Sequence, residues 1–466
     1  MSALDLSARA LVAATSTGEL SPVEVVDDLA RRVSGMAAEL NPFLAIDLDA
    51  ARDTARALQE RPAEERGALY GLPLPLKDLE RTSDLPTTFG LSFPLAPEAP
   101  RRDGSFAARA RAADAILYAK TNTSAFGHKD VTENLIVGAT TNPWDTTRTP
   151  GGSSGGSAAL VAAGVAPVAH GTDAGGSVRF PASMVGVVGF KPSFGRLPRI
   201  PSPDLWAARG HHGFLANDVA DIAFLMDALS GQDLRDPLSP AGSWRAVPAA
   251  KAPRALYVET MFGQDVDVDV RRVMDEAIDA LVTAGVDIRR GRIEWEDPIP
   301  DGNIPMVARE WRLLGAHAER EPELFDASHL EQIRAGAAVT ADDLMRAQES
   351  RTKLYGAAAA LFEDYDLLLM PTMPLTAWRW DDEHPAINGV PTERGPGGRW
   401  MDVLLGNLTG WPAISVPCGW SKGLPVGLHI TAAPLHDFAC VDAAARFEEI
   451  LQFIRPALPA QGATKR

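Results

Sequence analysis

An α/β fold is predicted by two observations: short strand-like apolar runs alternate with helix-period segments along most of the 466 residues, and no internal repeat or low-complexity linker breaks the alternation. One interwoven domain over residues 1–466 is expected, with a subdivision near residue 250 as the alternative. A hydrophobic fraction of 45% suffices for a large core. Forty-five basic against 61 acidic residues give a net charge of −16. That balance speaks against nucleic acid or an anionic membrane as partner, since both call for a basic patch. The only cysteines are Cys418 and Cys440, which excludes a disulfide framework and fits a reducing compartment. The opening Met-Ser-Ala-Leu-Asp-Leu carries an acid where a secretory signal would carry base, and no apolar run reaches the ~18 residues of a membrane span. The expectation is a cytoplasmic protein.

Ser21-Pro22-Val23-Glu24 offers a capping serine, a proline for the first turn and a glutamate to close a capping box, predicting a helix to about Met36. Phe43 to Leu48 reads as a strand and Asp49 to Gln59 as a helix. Gly71-Leu-Pro-Leu-Pro-Leu-Lys77 reads as extended, because a residue before proline is pushed away from helix. A lysine closing such a run is either a surface residue or a buried functional amine. Ser105 to Ala113 reads as a helix and Ala115 to Lys120 as a strand, followed by loops through Val131–Asn134 and Thr141–Asp145.

Two glycine-serine clusters come next, Thr149-Pro-Gly-Gly-Ser-Ser-Gly-Gly-Ser157 and Gly171-Thr-Asp-Ala-Gly-Gly-Ser177. The apolar run Ala158 to Ala169 between them reads as a buried helix and a short strand, bringing both clusters to one end of a core layer. Gly186 to Lys191 is strand-like, and Pro192 to Asn217 reads as a long loop of the kind that forms lids or binding walls. Beyond a helix from Asp218 to Leu229 and a strand from Arg254 to Glu259, apolar residues at 270, 273, 274, 277, 278 and 281 mark an amphipathic helix. Ile304 to Phe362 is mainly helical, Asp366 to Met370 a strand and Trp378 to Arg399 a loop. The strands Ala413–Pro417 and Pro425–Ile430, then a helix from Val441 to Phe453, complete the pattern.

Glycines in both clusters let main-chain N–H groups converge on a ligand, and serines among them suggest nucleophilic chemistry. Serine needs a nearby base. His128, His211 and His212 have no orienting carboxylate suggested by the sequence, His170 reads as structural, and Ser177 lacks the Gly-x-Ser-x-Gly elbow, being followed by Val178 and Arg179. Lys77 can serve as the base if burial lowers its pKa.

Pro75-Leu-Lys-Asp78, Pro150-Gly-Gly-Ser-Ser-Gly-Gly-Ser157 and Gly171-Thr-Asp-Ala-Gly-Gly-Ser-Val-Arg-Phe-Pro181 closely resemble the amidase signature family of serine hydrolases. The resemblance continues through Thr132-Glu-Asn134, Asn142-Pro-Trp-Asp145, Gly189-Phe-Lys-Pro192, Leu408-Thr-Gly-Trp-Pro-Ala-Ile-Ser-Val-Pro417 and Leu424-Pro-Val-Gly-Leu428, with its densest part over about 71–195. It implies a single large α/β domain whose central mixed β-sheet is flanked by helices on both faces. It also implies a Ser-cisSer-Lys triad in which Ser177 is the nucleophile, Ser153 the bridging serine and Lys77 the base. The N–H groups of Ala174, Gly175, Gly176 and Ser177 would hold the oxyanion, with Ser154, Thr172, Asp173 and Arg179 supporting the site. Asp173 and Arg179 are read either as substrate ligands or, preferentially, as a pair fixing the nucleophile loop. No metal or cofactor is required.

The expected activity is hydrolysis of a small-molecule amide, anilide or carbamate, with esters as easier side substrates, by a monomer or homodimer. Phe126, Trp206, Phe214, Trp378 and Trp411 are the expected pocket residues. Where many family members read Gly-Pro-Met-Thr-Arg, this chain reads Gly213-Phe-Leu-Ala-Asn217, which suggests an apolar wall and an aryl or alkyl substrate. The alternatives are the glutamine-hydrolysing component of a tRNA-dependent amidotransferase and a catalytically silent binding protein on the same scaffold.

Overall fold

The computed structural model describes residues 2–95, 101–206, 209–392 and 402–458. The first capping box forms as the sequence predicts: Ser21 Oγ accepts from the Glu24 N–H at 3.1 Å, the Glu24 carboxylate accepts from the Ser21 N–H at 2.8 Å, and the helix spans Pro22–Gly35. In chain order the strands are β1 (Phe43–Ile46), β2 (Leu76–Lys77), β3 (Ala119–Thr121), β4 (Glu133–Asn134), β5 (Gly138–Ala139), β6 (Val168–Asp173), β7 (Val188–Lys191) and β8 (His211–Ala216). There follow β9 (Arg254–Tyr257), β10 (Asp287–Arg290), β11 (Leu367–Pro371), β12 (Ala386–Ile387), β13 (Val390–Pro391), β14 (Ala413–Ser421) and β15 (Leu424–Ala432).

Eight of these form one sheet in the order β10-β9-β11-β15-β14-β7-β8-β6. The pairs β10–β9 and β9–β11 are parallel and the remaining neighbours antiparallel, so the sheet is mixed. Strands from both sides of residue 250 hydrogen-bond within it. Its two faces are read from alternating side chains. Val168, Phe190, Phe214 and Ala216 join the core that includes Val219, Ile222, Met274, Ile278 and Phe447 of three helices. Their neighbours Ala169 and Leu215 face the other way, against Ala158 and Val161 of the helix Gly155–Ala162 and Ala182 and Val185 of the helix Arg179–Val185. A chain with both sheet faces covered by helices is an α/β fold in layers. No helix among the described residues is long and apolar enough to cross a membrane.

The departures from expectation have local causes. Of the extended run at 71–77 only Leu76 and Lys77 pair as a strand, beside Thr121 and Lys120 of β3, because Pro73 and Pro75 have no N–H to give a ladder. The expected loop 192–217 contains β8, a buried strand between β7 and the edge strand β6. Its His211-His212-Gly213 opening conceals it: His212 turns inward, where its Nδ1 lies 2.9 Å from His170 Nε2. β10 is concealed by its exposed charges at the sheet edge. Within the expected loop 378–399, β12 and β13 form a short ribbon, and residues 393–399 lie outside the described residues.

Leu428 sits in the middle of β15, fully buried between Pro371 and Val416 on the neighbouring strands. Leu428→Ala is expected to cost about 2–5 kcal/mol of stability. Chemical denaturation with an unchanged m-value checks this, and a loss below about 1 kcal/mol would contradict the assigned core.

Candidate active site

The short strand β2 exists to deliver one side chain. Lys77 is fully buried, and its Nζ donates to Ser153 Oγ at 2.8 Å and to the Thr172 carbonyl at 3.2 Å. Burial pushes its pKa well below the usual lysine range, an effect that Asp173 opposes and Arg199 reinforces. Lys120 and Lys191 are buried as deeply. Lys120, however, lies 3.4 Å from Asp78, and Lys191 donates to the carbonyls of Pro192 and Trp411.

Ser153 is held by the first glycine-serine cluster. The Gly152–Ser153 peptide bond is cis. A Cβ on Gly152 would come within 2.6 Å of the Asp130 carbonyl carbon, and one on Gly127 within 2.9 Å of Ser153 Oγ, so both close approaches need glycine. Ser154 joins this cluster to the second. Its N–H donates to the Ser177 carbonyl at 3.1 Å, its Oγ donates to the Thr172 carbonyl at 3.2 Å, and the Thr172 N–H donates back at 3.3 Å.

Ser177, half-buried, lies in the turn between β6 and the helix Arg179–Val185. Asp173 shapes that turn by accepting from the Gly176 N–H at 2.8 Å and the Val178 N–H at 3.1 Å. Its carboxylate is met by Arg179 at 2.9 and 3.0 Å and by Asn407 at 2.9 Å. Burial alone would raise the Asp173 pKa, but the Arg179 charge and these hydrogen bonds hold it well below the ordinary carboxylate range. Arg179 also donates to the Val403 carbonyl at 2.8 Å, to Asn407 Oδ1 at 2.7 Å and to His429 Nε2 at 2.8 Å. Asp173 and Arg179 thus form a fully satisfied buried pair that fixes the turn.

One expected oxyanion donor is corrected by this geometry: the Gly176 N–H is already given to Asp173. The N–H groups of Ala174, Gly175 and Ser177 have no partner among the described residues. Gly176 itself has φ +104°, and a Cβ there would press within 2.5 Å of the Phe180 ring. Ala174 and Ser177 open on a cavity of about 90 Å³ that also reaches Ser153, Thr172, Asp173 and Gly127.

The expected pocket residues are only partly brought there. Phe126 lines the cavity. Phe214 is buried in the core, 5.8 Å from the Phe106 ring, because it stands on β8 rather than on a loop. Trp411 is buried edge-on to Phe362 at 5.0 Å. Trp378 packs with Val131, Phe180 and Met184, and Trp206 is 79% exposed outside the lining. The apolar wall expected at Gly213–Asn217 is therefore a strand inside the sheet. What lines the cavity instead is Arg199, Arg209, Arg309 and Arg351, interspersed with Leu79, Met306 and Leu408. No spacing marks these arginines in the sequence, since a loop and two separate helices supply them.

A larger cavity of about 450 Å³, bordered by Arg81, Phe89 and Phe93, includes none of Lys77, Ser153 and Ser177. Among the described residues one group could hold a metal ion, His128, Asp326 and His329, outside the residues that line the serine cavity. Both His128 nitrogens are engaged there, at 2.8 Å to the Ala125 carbonyl and 2.9 Å to Ser328 Oγ.

The Amidase family pattern matches residues 24–441. The chain is 31% identical over 457 residues to an acylamidase of Rhodococcus erythropolis, covering 96% of this chain and 95% of that protein. It is also 31% identical over 492 residues to a glutamyl-tRNA(Gln) amidotransferase component of Symbiobacterium thermophilum, covering 98% and 99%. Among solved structures, a bacterial aryl acylamidase superposes with a TM-score of 0.86 at 28% identity over 96% of each chain. A 6-aminohexanoate cyclic dimer hydrolase superposes with a TM-score of 0.85 at 28% identity over 98% and 99%.

Asp173→Asn is expected to destabilise the fold by about 3–5 kcal/mol, because it leaves the Arg179 guanidinium buried without a counter-charge. The pair's contribution is present above the unfolded carboxylate pKa of about 3.9 and is lost as pH falls toward the depressed folded value. Wild-type and variant stabilities measured by denaturation should therefore differ fully at about pH 6. Equal stabilities there would contradict the assigned pair.

Proposed function

Since the chain belongs to the amidase signature family and is a hydrolase of amide C–N bonds, we propose that it acts through a Ser177 acyl-enzyme served by a Ser177-Ser153-Lys77 proton relay. The observation that carries this reading is the 2.8 Å contact between a buried Lys77 amine and Ser153 Oγ, with Ser153 and Ser177 lining one cavity. The neutral amine takes the Ser153 proton, Ser153 takes that of Ser177, and Ser177 Oγ forms a bond to the carbonyl carbon of the substrate. The charge developing on the carbonyl oxygen meets the N–H groups of Ala174, Gly175 and Ser177, donors of a kind worth about 10²–10³ in rate apiece. The C–N bond then breaks as the relay returns its proton to the leaving amine. Water enters, gives its proton to the relay and attacks the acyl carbon, and Ser177 is regenerated as the acid departs. Carbamates follow the same course, and esters follow it more readily because an alkoxide leaves more easily than an amide nitrogen.

The similarity to glutamyl-tRNA(Gln) amidotransferase components supports a second reading, a glutamine-hydrolysing part of a larger assembly. Glutaminase activity that emerges only with copurifying proteins favours that reading; an isolated chain active on other amides and inert to glutamine excludes it.

Ser177→Ala is expected to lower kcat by at least ~10⁴-fold with the fold retained, and Lys77→Ala by ~10²–10⁴-fold. Raising pH deprotonates Lys77, so with chemistry limiting the rate rises through the lowered lysine pKa and levels off well below pH 10.5. Steady-state kinetics against pH check both points. A profile still climbing with an apparent pKa near 10.5, the ordinary lysine value, or full activity in Ser177→Ala, would contradict the relay.

A further inference from the structure

The cavity that holds Ser177 is cationic in a protein whose net charge is −16. Four guanidinium groups line it, from Arg199, Arg209, Arg309 and Arg351. Two are anchored to the protein. Arg209 donates to the Gly302 carbonyl at 3.0 Å and to Asn303 Oδ1 at 2.7 Å, and Arg351 Nε donates to the Leu408 carbonyl. The side chains of Arg199 and Arg309 make no hydrogen bond or ion pair with any described residue. The Arg199 guanidinium lies against Gly210, where a Cβ would come within 2.2 Å of its Nη1 and displace it from this position. Burial and the neighbouring charge of Arg309 push both Arg199 and Arg209 down to about 10. The carboxylates on the same wall are Asp204, whose charge acts on Arg199 and Arg351, and Asp173, which is taken by Arg179; Glu80 and Asp236 act on Arg199 from outside the lining, so four guanidinium groups still outnumber the carboxylates that face the cavity.

Arg199 and Arg309 are half-buried, and like charges gathered in one cavity without hydrogen-bonded partners are costly, so that an anion binding among them completes the cluster. A guanidinium presents parallel N–H groups that match the two oxygens of a carboxylate. We infer that the amide substrate carries a carboxylate, held by Arg199 and Arg309 while its amide carbonyl is presented to Ser177. Leu79, Phe126 and Met306 cover the short chain between the two groups, and the small volume of the cavity, about 90 Å³, suits a small aliphatic acid amide better than an aryl one. The inference rests on Ser177 as the attacking residue and adds to it the class of substrate.

The test uses the purified full-length chain with two primary amides of the same four-carbon chain, succinamate and butyramide, which differ by a terminal carboxylate in place of a methyl group, assayed for ammonia release at low salt. The expected result is at least a ~10-fold higher kcat/KM for succinamate, with the difference mainly in KM and shrinking as ionic strength rises. Arg309→Gln is expected to lower the succinamate-to-butyramide ratio of kcat/KM by about 10- to 100-fold, Arg199→Gln likewise, and Arg309→Lys to restore part of it. A ratio near one or below in the wild type, or a ratio unmoved by both glutamine variants, overturns the inference. Labelling of Ser177 by a neutral fluorophosphonate is measured in parallel. Labelling with no carboxylate preference sinks the substrate class alone, whereas absence of labelling sinks the serine reading on which it rests.

Discussion

The Lys77 amine is enclosed on every side, and an ammonium there would have only the Ser153 hydroxyl and the Thr172 carbonyl in place of its water. Desolvation of that kind favours the neutral form. Much of the surrounding architecture serves this one constraint. β2 is short because prolines precede it, so the chain reaches Lys77 as an extended segment and leaves the sheet at once. Burial lowers the Lys120 pKa as well, but there Asp78 at 3.4 Å opposes the shift, because a carboxylate at ion-pair distance favours the charged amine.

Around the amine, two glycine-serine clusters are drawn together by backbone contacts that side chains would block. The links through Ser154 tie the turn of Ser153 to that of Ser177. The Asp173–Arg179–Asn407 network then fixes the second turn from behind, using the region after residue 402 to brace residues near 175. These contacts explain why the similarity to known amidases runs nearly the whole length of the chain: the site is assembled from both ends of it.

The parts of this site legible in the sequence are those whose chemistry is local. Clustered glycines announce close backbone approaches, the capping box at Ser21 announces a helix start, and the ordered motifs announce the family. Lys77 is within reach of sequence reasoning as a candidate base, because a serine without a usable histidine points to another one. What escapes depends on long-range placement. Histidines conceal β8, since nothing local tells that His212 will find His170 inside the fold. With the strand concealed, Phe214 looks like a pocket wall, although β8 turns it into the core. Trp411 and Trp378 mislead for a related reason, because a bulky aromatic suits a pocket and a core equally well. The arginines of the cavity arrive from a loop and two helices far apart in sequence and leave no pattern that spacing could reveal.

An acidic chain around a cationic cavity is physically consistent, because low-dielectric walls keep the guanidinium field local to the cavity. Turnover in the proposed mechanism depends on the proton path from Ser177 through Ser153 to Lys77. The most direct measurement is the second-order rate of Ser177 labelling by a neutral fluorophosphonate, followed against pH in the wild type and in Ser153→Ala. Removing the bridging hydroxyl is expected to slow labelling by ~10²-fold or more and to abolish its rise with pH. Labelling of Ser153→Ala at the wild-type rate, with the same pH profile, would contradict that path.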